Sequence, residues 1–159
     1  MSTVDKLFLF AHVLAVLWYV AGLVAVQISL IRGWQATNIG VRGDAFEEAS
    51  HYQGILLVPG SIAVAATGLF LWSQQLGNNM FTTGWLVIVE VIYIITLLVC
   101  VPFIGMGLRR ARIAALQARR KGKSTPELDQ AMADNVPLFF AGIATLLVPV
   151  AAAFCVFQP

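Results

Sequence analysis

Four apolar runs, near positions 7–30, 53–74, 85–106 and 137–157, are separated by short polar connections that hold nearly every charge in the chain. Each run meets the roughly 20 residues an α-helix needs to cross about 30 Å of hydrocarbon. None shows the strict alternation of a membrane β-strand, and the connections leave no room for a second folding unit. The pattern therefore predicts an all-α integral membrane four-helix bundle, a single transmembrane domain over residues 1–159. Lys6 before the first run imitates a signal peptide. The run is about twice the usual length of a signal core and no small-x-small cleavage site follows it, so a first span is the expectation.

Composition agrees with this pattern. Of 159 residues, 59% are apolar and 11% are Asp, Glu, Lys or Arg, against about 25% charged in a soluble domain. An ordinary soluble enzyme, a disordered tail and a nucleic-acid module are excluded. The net charge of +2 is too small to imply a polyanionic partner, but its placement is informative. Arg32 and Arg42 lie between spans one and two, and Arg109, Arg110, Arg112, Arg119, Arg120, Lys121 and Lys123 between spans three and four; Lys6 alone lies at the other end. By the positive-inside rule the nine face the cytoplasm and both termini face outward, as in a multi-pass protein of a bacterial inner membrane. The same basic residues are placed to touch anionic lipid headgroups.

Helical signals continue beyond the apolar runs. Asp44 with Glu47 three residues later reads as a capping box that starts helix two early. Thr125, Pro126 and Glu127 read as N-cap, first helical residue and first-turn acid of helix four. The good helix formers from Leu108 to Arg120 extend helix three, and Gly122 begins the turn. Helices three and four are thus expected to reach into the cytoplasm. Pro59, Pro102, Pro137 and Pro149 predict kinks. Gly60, Ser61, Ala63, Ala65, Ala66 and Gly68 give helix two a small-residue face suited to close packing, within the bundle or against another subunit.

The ionisable residues inside the runs are His12 and Glu90, and such groups are costly in hydrocarbon unless they meet a partner, a cavity or the bundle interior. Each lies five residues from the outer end of its span, roughly 7–8 Å at 1.5 Å per residue. At that shared level they form a candidate buried polar pair: an acid-base or ligand pair, a proton or metal-ion path, or a clamp between helices one and three, with two independent residues near the headgroups as the alternative. Ala15, Val16, Tyr19 and Leu23 follow His12 on one helical stripe, with Trp18 pointing away. His12, Ala15 and Tyr19 are the candidate face for a flat cofactor, with ordinary packing as the alternative. A bis-histidine haem is ruled out by depth, because His51 lies at the cytoplasmic boundary, roughly 20 Å or more from His12. Glu47 and Glu48 beside His51 suggest an interfacial polar cluster instead. Cys100 and Cys155 fall toward opposite ends of their helices and are not expected to pair. Met80, Met106 and Met132 lie at different levels and make no copper ladder. No zinc signature, phosphate loop or nucleophile elbow is present.

The segment LFLFAHVLAVLWYVAG, Leu7 to Gly22, resembles the first helix of the copper-resistance-D-like superfamily of small bacterial membrane proteins, through His12, Trp18 and Gly22. PGSIAVAATGL from Pro59 and the Gly-Trp entry and basic exit of helix three, Gly84 to Arg110, resemble the same group. Within it the chain is most similar to an uncharacterised family of predicted four-helix membrane proteins. It also resembles, in helix one, the membrane protoporphyrinogen oxidase family, which implies His12 as a haem-iron ligand or active-site residue. Those oxidases carry a basic residue near the start of helix three, where this chain has Glu90, and a carboxylate cannot supply that charge. Three functions follow as expectations: an accessory or assembly subunit packed against a membrane-protein partner or a second copy, a haem-dependent oxidoreductase using His12, and an ion path at the His12 and Glu90 level.

Overall fold

The fold is described from a computed structural model covering residues 3–75 and 84–158. The connection expected between spans two and three, with Met80, lies outside the described residues. No strand occurs among them, and four helices are long and apolar enough to cross a membrane. Helix α1 is Thr3–Gln35, and α2, Ile39–Tyr52, continues through a π turn at Gln53–Leu57 into α3, Val58–Gln75. Helix α4, Gly84–Ile95, continues through a second π turn at Thr96–Cys100 into α5, Val101–Lys121. A short α6, Pro126–Ala133, precedes α7, Val136–Phe157.

The two π turns have one cause. A proline ring collides with the carbonyl four residues back and offers no N–H, so an unadjusted helix breaks or kinks there. Pro59 and Pro102 each follow a π turn by two positions. In both, the residue before the proline bonds five residues back, Val58 N–H to the Gln53 carbonyl and Val101 N–H to the Thr96 carbonyl. The wider turn lets the spans pass the prolines without breaking.

Helix starts follow the same local chemistry, with two corrections to the sequence expectation. Asn38, not Asp44, caps α2: its side chain accepts from the N–H of Gly40 at 2.8 Å and of Val41 at 3.4 Å. Asp44 lies inside the helix and bonds Arg119 of α5 at 2.7 Å. The fourth helix is divided, because Pro137 forbids helical continuation from Ala133, the residue four positions back. Asp134 then accepts from the Val136 N–H at 3.1 Å to start α7. Thr125 caps α6 as expected, accepting from Leu128 N–H at 3.3 Å, and Gly122 ends α5 in the left-handed region with φ 67°.

Helix α1 packs on α2, α3 and α7; α5 packs on α2, α6 and α7; α4 packs on α7. The small-residue face predicted for the second span meets the first. A Cβ added at Gly22 would lie 2.6 Å from the Leu57 nitrogen, and one at Gly60 2.9 Å from the nitrogen and Cα of Tyr19. Here two backbones touch, the close approach that drives helix association where lipid removes the hydrophobic incentive.

Burial is uneven along the bundle. Phe46, Leu108, Leu128 and the small residues Ala111, Ala115 and Ala118 are fully enclosed at the basic end, whereas α4 buries no residue. At that basic end Trp34 packs edge-on against Phe46 and donates to the Met132 carbonyl at 3.3 Å. Ion pairs Arg32–Glu48 (3.1 Å), Arg119–Asp44 (2.7 Å), Arg110–Asp134 (3.5 Å) and Arg112–Glu47 (3.9 Å) surround this core. All are exposed, so each contributes about 0–1 kcal/mol and mainly sets register.

The glycine contact yields a direct test by thermal unfolding in detergent. Gly22→Val is expected to lower stability by at least the roughly 1–3 kcal/mol typical of overpacking, since a backbone cannot swing aside. Gly142→Ala, which meets nothing within 4 Å, is expected to be neutral or better. Equal effects at the two positions would contradict the contact. For the cap, Asn38→Ala is expected to cost about 1 kcal/mol and Asp44→Ala less than that by the same measurement.

Candidate functional site around His12

His12 stands on α1, half-buried, and its Nδ1 lies 2.8 Å from the Thr67 hydroxyl of α3. Thr67 also donates back to the Ala63 carbonyl at 2.7 Å. A threonine has one hydroxyl hydrogen, and its use on Ala63 makes the Thr67 oxygen an acceptor toward His12. Nδ1 therefore carries the ring proton and Nε2 keeps its lone pair, the way second-sphere groups commonly fix an imidazole. Gly68 leaves room for the ring: a Cβ there would sit 3.4 Å from its Cε1.

The stripe below His12 is not open. Ala15 and Tyr19 are buried, and α3 crosses directly over Tyr19 at Gly60. The face formed by His12, Ala15 and Tyr19 is thus covered by the second span, and only the exposed edge of His12 remains for a bulky group. Trp18 points outward, as its place off the stripe requires.

Glu90 lies on α4, which packs on α7, and it makes no hydrogen bond or ion pair among the described residues. The hydrogen-bond partner of His12 is Thr67, not Glu90. His51 is exposed, with its ring against Tyr52, while Glu47 and Glu48 are taken by arginines. It lies sixteen residues from Thr67 along the second span, about 24 Å if the helix were regular. The two histidines are far apart. Cys100 is buried, Cys155 exposed, and both are free thiols. No group of three or more His, Cys, Asp or Glu residues converges as a metal site among the described residues.

Three polar contacts between spans were missed in the sequence. Thr67 was within reach of the depth argument: it lies about seven residues from the end of the run at 53–74 that is remote from the basic residues, close to the level of His12. Gln27 pairs with Thr145 at 2.6 Å, tying α1 to α7. The Tyr93 hydroxyl donates to the Ser61 carbonyl, tying α4 to α3. Uncharged polar residues in apolar runs were the signal for these, because they need partners there just as ionisable ones do.

A family model described as predicted integral membrane protein (DUF2269) matches residues 6–159. The chain belongs to this family. No curated protein and no solved structure matches it. Membership confirms an integral membrane protein and brings no activity with it.

The tautomer assignment is testable by ¹⁵N NMR of labelled His12. The wild type is expected to show a protonated Nδ1 and an unprotonated Nε2, Thr67→Ser to retain this pattern, and Thr67→Val to give mixed tautomers. An unchanged spectrum in Thr67→Val would contradict the assignment.

Proposed function

We propose that this protein is a non-catalytic subunit of a larger membrane assembly, with its basic end in the cytoplasm of a bacterial inner membrane. The observation that carries this reading is Glu90. It is an ionisable side chain inside a span, on a helix that buries none of its own residues, with no intramolecular partner among the described residues. Carboxylates at such positions are retained where a partner group meets them. The partner group is supplied by another membrane protein or by a second copy, and α4 is the docking helix. Because Glu90 makes no hydrogen bond or ion pair among the described residues, its replacement is expected to leave the bundle folded. Purified from native membranes in mild detergent, the wild type is expected to migrate as a larger complex and Glu90→Leu as the free chain at unchanged melting temperature. A monodisperse, partner-free wild-type protein, or a complex indifferent to Glu90→Leu, would overturn the reading.

One observation favours a second function. The free Nε2 of His12, fixed by Thr67, is suited to ligate a haem iron, the chemistry implied by the resemblance of helix one to the porphyrin oxidases. The residues fit such a group only at the exposed edge of His12, since the second span covers the rest of the stripe. An absorption spectrum separates the readings: this one requires a Soret band that is lost in His12→Ala, and a protein without the band contradicts it.

A further inference from the structure

The middle of the bundle contains a second polar locus, separate from His12 and Glu90. Tyr19 of α1 is only 7% exposed, and its hydroxyl has no hydrogen-bond partner among the described residues. A phenol hydroxyl enclosed in this way costs about 1–3 kcal/mol unless something satisfies it. Cys100 and Tyr93 of the third span lie near it. Packing brings Tyr19 and Tyr93 to one stretch of the second span: α3 crosses the Tyr19 backbone at Gly60, and the Tyr93 hydroxyl reaches the carbonyl of the next residue, Ser61. Tyr93, Thr96 and Cys100 recur at i, i+3 and i+7, one face of the third span. This face runs into the second π turn, Thr96–Cys100, where widened backbone accompanies Pro102.

We propose that a water molecule is held between the first and third spans by the hydroxyls of Tyr19 and Tyr93 and the thiol of Cys100, beside the second π turn. The hydrogen bonds balance. Tyr93 spends its hydrogen on Ser61, so its oxygen accepts; Tyr19 donates to the water; the water donates to Tyr93 and to the Cys100 sulfur. Three protein partners is the usual complement of a buried water. Thr96 is excluded from the set because its hydroxyl bonds the Ile92 carbonyl at 2.8 Å.

Radiolytic hydroxyl-radical footprinting of the full chain in detergent tests this without any variant, because bound water generates radicals in place. Tyr19 and Phe46 have similar intrinsic reactivity and both are buried, Phe46 at 0% exposure. Tyr19 is expected to be modified several-fold faster than Phe46; equal protection of the two would overturn the proposal. A stability cycle gives an independent reading. Tyr19→Phe and Tyr93→Phe are each expected to lower the melting temperature, and the double variant to fall by less than the sum, because both act through one water. A melting temperature unchanged or raised in Tyr19→Phe, or strictly additive losses, would show a dry site and overturn it.

Discussion

The contact of bare backbone between α1 and the second span, at Gly22 against Leu57 and Gly60 against Tyr19, is the constraint on which the rest of the arrangement depends. In lipid, apolar side chains gain little by leaving one hydrocarbon for another, so association rests on close packing and on a few polar contacts. Glycine at both crossings lets the helices approach until main-chain atoms touch. That separation places Thr67 within hydrogen-bond distance of His12, puts Tyr19 in the interior and closes the stripe between them.

From this seam the molecule divides into two unlike halves. The basic end is packed as a soluble protein is, with Phe46, Leu108 and Leu128 enclosed and four ion pairs joining α1 to α2, α2 to α5, and α5 to the junction of α6 and α7. The opposite half is held by the packing of α1 on α3, with the Phe8 and Phe70 rings stacked 3.5 Å apart, and by two polar contacts, His12 to Thr67 and Tyr93 to Ser61, while α4 buries nothing. In that half α4 offers its faces to lipid or to another protein. Glu90 lies in it.

Much of this architecture was legible in the apolar pattern, because span length and the gathering of basic residues are one-dimensional properties. Thr125 and Gly122 could be read as cap and terminator because capping depends on neighbours in sequence. Asp44 was misread since its acid-x-x-acid spacing is also what an interhelical pair to Arg119 produces, and only the fold distinguishes them. The break at Asp134–Asn135 is not legible in the sequence, because Pro137 at the edge of an apolar run reads equally as a kink within a span and as a stop at Ala133. The candidate site was legible only as far as His12. Its partner is a threonine from another helix, and matching depth alone cannot choose between Thr67 and Glu90 when rotation about each helix axis is unknown.

The account is tested most directly by the distance between the first and second spans in a lipid bilayer. Spin labels at the exposed positions Leu17 and Ile62, with Cys100 and Cys155 replaced by Ala, report that separation by pulsed electron paramagnetic resonance. A glycine-seated seam predicts a single narrow distance distribution. A broad or multimodal distribution, as from helices that slide or separate in lipid, would contradict it.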